Sequence, residues 1–328
     1  MKYLLPLSRR QMLLASAACG ASSVLMAQET YPARAVNLVV PFPPGGLADN
    51  VARLLAPALE RALGQPVVVM NRAGAAGAIG AAAVAAGKPD GYSILFTLSS
   101  LSTLPEQALV NQQKPAFLLS QFRPVARVST DPLAIVVRAE SPLRSLAELV
   151  AQARSKPGEM SYGSSGNYGT VHVPVEIFAH EAQVKLNHIP YAGGGPLMVG
   201  LLGGQVDFTV LPRSSIAAQI RAGKLRILAT VGAEVWPQFP SVSNTAALGL
   251  NVDVQPWTGA FVPMDTPPAV VDRLRSAFRI ASENAEFKQA LLKAEGGPAY
   301  LDAPEFKTFW DQDAARLAQA VRRMGKLE

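Results

Sequence analysis

Short apolar runs alternate along the chain with longer stretches whose apolar positions recur at helical spacing, an arrangement that predicts βαβ units and mainly parallel sheets. The first unit is the clearest. Ala35 to Val40 reads as a buried strand and Pro41 to Asp49 as a turn-rich loop; Asn50 to Leu63 reads as a helix with Val51, Leu54, Leu55, Ala58 and Leu59 on one face, stopped by Gly64. Val67 to Met70 predicts a second strand, Ala76 to Ala86 a small Ala-rich helix, and Ser93 to Leu98 a third strand ending in Ser99 and Ser100. Thr103 to Gln121 has no regular period.

A second set of units starts at the strand Leu133 to Val137 and continues with a helix at Leu146 to Ala153 and a strand at Met160 to Tyr162. After a Gly/Ser-rich turn comes a helix at Thr170 to Glu181, then strands at Val206 to Val210 and Leu225 to Val231 around a helix at Ser215 to Ala222. Pro- and Gly-rich sequence runs from Val231 to Pro268, and three amphipathic helices at Ala269 to Ser282, Ala285 to Ala294 and Pro304 to Arg323 finish the chain. The simplest arrangement is two α/β lobes, 28–130 with 245–328 and 131–244, joined by a hinge of two crossings near Ser129 to Pro132 and Val231 to Gln255.

The N-terminus changes the compartment. Lys2, Arg9 and Arg10 precede an uncharged apolar stretch from Met12 to Ala27 that ends in small residues and is too short and Ser-diluted to span a membrane, so residues 1–27 read as an export signal. Ser8-Arg9-Arg10-Gln11-Met12-Leu13 resembles the twin-arginine motif, and Sec export stays open beside it. Cys19 follows Ala17-Ala18, but Ser16 stands where a lipoprotein signal has Leu, so no lipid anchor is expected. Removal of the signal takes the net charge from +6 to +3 and removes the sole cysteine, leaving no thiol nucleophile or thiolate metal site. Lys and Arg are scattered without a run of three, which argues against nucleic acid as a partner.

Two loops carry the candidate chemistry. Pro43-Pro44-Gly45-Gly46-Leu47-Ala48-Asp49 follows the first strand and opens a helix, with Asp49 as the expected N-cap and Gly46 as the expected point of close approach or positive φ. Gly163-Ser164-Ser165-Gly166-Asn167-Tyr168-Gly169-Thr170 repeats the pattern ahead of His172 and Glu176 and adds hydroxyl donors. Free amides at helix starts favour an anion, and one such loop in each lobe suits a carboxylate. Other constellations fail on spacing. Gly74 to Gly80 is no dinucleotide fingerprint, Gly87-Lys88-Pro89 is no phosphate loop, and Gly163 to Asn167 misses the nucleophile elbow of a hydrolase. His172, Glu176 and His180 recur at four-residue steps but drift round the helix by about 80° between first and last, so no metal or other cofactor is expected.

Many spaced stretches resemble the substrate-binding proteins of tripartite tricarboxylate transporters, the Bug receptors. They include Tyr31-Pro32, Val40-Pro41-Phe42 with Pro44-Gly45-Gly46 and Asp49, Gly64-Gln65-Pro66-Val67, Asn71-Arg72, Pro89-Asp90-Gly91-Tyr92, Tyr162-Gly163-Ser164, His188-Ile189-Pro190-Tyr191, Gly203-Gly204-Gln205-Val206 and Trp257-Thr258-Gly259. The resemblance implies a two-lobed periplasmic receptor that closes on a carboxylated solute held through backbone amides and waters, serves large and small integral-membrane transporter subunits, and works as a monomer without catalysis. A receptor feeding a signalling partner is the alternative, with a hydrolase behind it. The expected ligand contacts are Phe42, Pro44, Gly45, Gly46, Asp49, Ser99, Ser164, Ser165, Gly166, Asn167, Tyr168, Gly169, Thr170, His172 and Tyr191. Departures from the family pattern at Ala73, Ala76, Ala192, Tyr168 and Gly169 bear on the ligand more than on the fold. Asp207 is read as a structural acceptor, Trp257 as core and Arg72 as a structural surface residue.

Overall fold

The computed structural model describes residues 31–327 apart from Glu234, Val235, Pro237 and Asp253; the expected export signal and Cys19 lie outside the described residues. The chain builds two sheets. Strands β1 (Val36–Val40), β2 (Val67–Asn71), β3 (Ser93–Leu98) and β4 (Phe122–Thr130) are joined by β10 (Trp257–Pro263) and β11 (Gly297–Asp302) in the order β11-β4-β10-β3-β1-β2. Strands β5 (Leu133–Arg138), β6 (Ser161–Ser164), β7 (Asn187–Pro190), β8 (Phe208–Pro212) and β9 (Leu225–Thr230) form the other sheet, in the order β7-β6-β8-β5-β9.

The expectation of mainly parallel sheets needs correction, because both are mixed. β1 pairs in parallel with β2 and β3, and β6 with β7 and β8, as right-sized βαβ crossovers demand. The strands at the crossings between sheets run the other way. β10 is antiparallel to β3 and β4, and β5 is antiparallel to β8 and β9, since a chain that leaves one sheet and returns reverses its direction there.

Helices cover both sheets. In the first lobe these are α1 (Leu47–Leu63), α2 (Ala78–Ala85), α3 (Leu104–Val110), α8 (Pro268–Glu283), α9 (Ala285–Lys293) and α10 (Ala303–Met324). In the second they are α4 (Leu146–Ser155), α5 (His172–Glu181), α6 (Gly194–Leu202) and α7 (Arg213–Arg221). Local rules account for several ends: Gly64 closes α1 at φ +74, Ser145 caps α4 by accepting from the Glu148 amide at 3.2 Å, and Asn284 caps α9 by accepting from the Phe287 amide at 3.0 Å.

Each lobe has its own apolar core. Leu55, Leu59, Phe96 and Phe278 anchor one, and Tyr162, Phe178, Phe208 and Trp236 the other. Trp257 is fully buried and donates its indole N–H to Asp313 at 2.8 Å, so it is core as read from sequence. The chain crosses from β4 to β5 within two residues and returns through 231–256, a segment that packs on the second core as far as Val252. α10 also bridges the lobes: Leu317 and Val321 pack with Tyr168 and Val173 of the second lobe.

Candidate functional site

α1 starts three residues earlier than its apolar period indicates. Gly46 is its N-cap with extended φ −82 and no side-chain cap, and Asp49 lies inside the first turn. The positive φ of this loop belongs to Gly45, at +83; a Cβ on Gly46 would meet nothing nearer than the Pro43 carbonyl at 3.8 Å. Asp49 is therefore not the cap. Its carboxylate, 2% exposed, accepts from the Gly45 amide at 2.9 Å and from Asn71 Nδ2 at 2.8 Å, and pairs with Arg53 at 2.9 Å. Burial alone would raise its pKa, but Arg53, the Gly45 amide and Asn71 outweigh burial and hold it below the usual carboxylate range. Asp49 thus shapes the loop from behind, and the Gly45 amide is committed to it.

The opposite loop follows β6. Ser165, Gly166, Asn167 and Thr170 turn toward the first lobe, where a Cβ on Gly166 would lie 3.2 Å from that of Ala76. Gly193, ahead of α6, comes so near Pro43 that a methyl there would lie 3.1 Å from its ring. The lobes thus meet around a cleft of about 550 Å³ lined by Phe42, Ser165, Gly166, Asn167 and Tyr191 among others. A smaller cavity of about 40 Å³ adjoins it, where Gly46, Leu47 and Ala48 at the start of α1 face Thr170. Thr170 is 7% exposed, and its hydroxyl has no hydrogen-bond partner among the described residues. The first amides of α1 have no intrahelical acceptor either, and the helix dipole makes that end favourable to an anion. The two sets of donors converge.

Other expected contacts are elsewhere. Ser164 is buried, its hydroxyl joined to His188 Nε2 at 2.7 Å and receiving the Gly166 amide at 3.2 Å. Tyr168 points away from the cleft because its backbone takes φ +55; its hydroxyl donates to the Gly325 carbonyl at 2.8 Å and accepts from the Leu327 amide at 3.2 Å. Its carbonyl accepts from Thr103 across the lobes at 2.6 Å. His172 is fully buried, accepts from the Tyr168 amide at Nδ1 and stacks on His188 at 3.9 Å, so it braces the loop from below. Ser99 is buried in the turn after β3, Gly169 donates its amide to Gly166, and Pro44 and Gly45 lie beside the cavities without lining them. Asp207 accepts from the Ser161 amide at 2.7 Å, as a structural acceptor does.

Sequence reading missed part of the lining. Gly74, Ala75, Ala76 and Gly77 form a third turn ahead of a helix, with Ala75 and Ala76 at φ +46 and +53. The clustered glycines and the departures at Ala73 and Ala76 are the signals the sequence offers for it. Ala192 after β7, marked in the sequence as a departure from the family pattern, lines the cleft as well, and so does Gln107 on α3, which no local motif marks.

Relatives match this architecture. Residues 51–326 match the family described as the tripartite tricarboxylate transporter family receptor. The Protein BugT of Bordetella pertussis is 35% identical over 298 residues, which cover 90% of this chain and 91% of that one. The periplasmic binding protein BugD superposes with a TM-score of 0.83 at 29% identity over 90% of this chain and 100% of its own. MatC of Rhodopseudomonas palustris, solved with bound malate, superposes at 0.81 and 26% identity over 89% and 100%. With its two lobes, shared cleft and loop-borne donors, the chain belongs to the tripartite tricarboxylate transporter receptor family, whose members are periplasmic solute-binding proteins rather than enzymes.

Proposed function

We propose that this chain captures a small carboxylate-bearing solute between its lobes and delivers it, as an exported monomer, to the large and small membrane subunits of a tripartite transporter. The observation that carries the reading is the facing of two donor sets across the 40 Å³ cavity, the free amides of Gly46 to Ala48 and the unpartnered Thr170 hydroxyl. A carboxylate there would accept from both lobes at once, and so would stabilise their closed arrangement about crossings at 130–132 and 231–256. Charge complementarity comes from the dipole of a helix of 17 residues, so no arginine is needed. The malate held by MatC is an acid of this kind. The transporter connection rests on the family's name, and export rests on the pattern of residues 1–27.

A thermal-shift screen of carboxylic acids, each beside its neutral primary amide, tests the capture step. A ligand at a hundredfold excess over its dissociation constant raises stability by about 2.7 kcal/mol, enough to move the transition by several degrees. Acids that shift the transition while their amides do not would support the reading. Equal shifts from both would refute it.

A further inference from the structure

None of the residues lining either cavity carries a charge. Resting on the carboxylate reading above, we infer that the solute is a monoanion: one carboxylate at the start of α1, an apolar body, and a far end that is polar but uncharged.

The small cavity has room for one carboxylate, and the donors of Gly46 to Ala48 and Thr170 converge on it alone. A second carboxylate on the same molecule would lie in the larger cleft, where the amides of Gly77, Gly166 and Tyr191 are already in use and no lining side chain is charged. The amides of Gly77 and Ile79 at the start of α2 donate to the Gly74 carbonyl, that of Gly166 to Ser164, and that of Tyr191 to the Ser164 carbonyl. The Tyr191 hydroxyl is held by Gln205 at 3.1 Å, which leaves its ring as wall. Phe42, Pro43 and Tyr191 present apolar surface to the body of the ligand. The polar side chains left at the far end are Gln107 and Asn167, whose side-chain amides have no partner among the described residues, together with Ser165. An amide both donates and accepts. It satisfies a hydroxyl, a carboxamide or a ring nitrogen, whereas an ionised group buried beside it without a cation would lose most of its hydration uncompensated. Arg72, the nearest cation in sequence, is exposed and does not line the cleft.

Matched compounds on two skeletons provide the test: 1,4-benzenedicarboxylate, its half-amide, its diamide and benzoate, and adipate, its half-amide, its diamide and hexanoate. Calorimetry on protein stripped of co-purified solute should show the half-amide or monoacid of at least one skeleton binding about tenfold or more tighter than the diacid. Ala192→Lys places an ammonium at an exposed cleft position, where it does not disturb packing, and should reverse that order. Tighter binding of the diacids by the parent, or no binding of any monoanion at millimolar concentration, would overturn the inference and leave the receptor reading standing. Diamides that match the half-amides would instead remove the carboxylate itself, and the inference with it.

Discussion

A buried hydroxyl without an acceptor is a stability cost for the chain that carries it, and Thr170 carries one at the place where two lobes bring donors together. Thr170→Val keeps the shape and removes the hydroxyl. It should leave the melting temperature unchanged or raised, while the lost hydrogen bond to a charged group, worth about 1.5 to 3 kcal/mol, weakens acid binding roughly ten- to a hundredfold by calorimetry. Unchanged affinity would take Thr170 out of the site. Arg72→Ala serves as the control and should change little, because the side chain is exposed and lines neither cavity. Beneath the same loop, the imidazole of His188 is stacked on His172 and joined to Ser164. Burial first, and the neighbouring His172 second, push its pKa down from 6.5 to about 4 against an opposing pull from Glu176. Between those values the unfolded chain binds more protons. The stability contributed by neutral His188 is therefore complete above about pH 6.5 and lost as pH falls through about 4. Thermal melts across this range should show the parent losing stability relative to His188→Gln, and parallel profiles would mean that the folded protein accepts the proton without penalty.

At the scale of elements, the start of α1 separates backbone geometry from ligand contact. Gly45 holds φ +83, where a side chain is strained, so Gly45→Ala should lower stability by about 1 to 2 kcal/mol as read from denaturant unfolding. Gly46 has extended φ and open space near its Cβ, yet it lines the small cavity. Gly46→Val should therefore fold normally by circular dichroism and fail to bind. Normal binding by that variant would place the carboxylate elsewhere. The two neighbours thus carry different duties that a glycine pair in a sequence does not distinguish. α10 adds another division of labour, because Tyr168 holds its far end through Gly325 and Leu327 while the Tyr168 carbonyl takes the Thr103 hydroxyl. The loop that lines the cleft is in this way tied to the C-terminal helix.

For the molecule as a whole, lobes that both contribute to one cleft must separate to admit a solute. Small-angle scattering should show a smaller radius of gyration when a confirmed acid saturates the protein, and an unchanged profile would argue for a permanently closed form. Gly193 holds φ +121 and lies so near Pro43 across the cleft that a methyl there would lie 3.1 Å from the ring, so Gly193→Ala should lower the melting temperature through backbone strain and, in the fraction that folds, resist closure and weaken binding. The amphipathic helices and the buried strands β1 and β3 were legible because each is long or apolar enough to declare its own period. The strand β10 was not. Its residues are all buried, but Gly259 and Pro263 interrupt the run and the flanking sequence is rich in turns, so only pairing with β3 and β4 on either side makes it a strand. β11 is half-buried throughout and pairs on one side only, with β4, while α6 begins with two glycines and a proline; neither has a pattern independent of its neighbours. The same physics divides the site. By itself the chain determined that Gly-rich turns open helices in both halves and that no charged motif accompanies them, because turn chemistry and helix starts are local. Tertiary structure alone decided that Asp49 and Tyr168 brace the loops from behind, and that Gln107 joins the lining, since which side of a turn or helix faces the other lobe depends on packing between residues far apart in the chain.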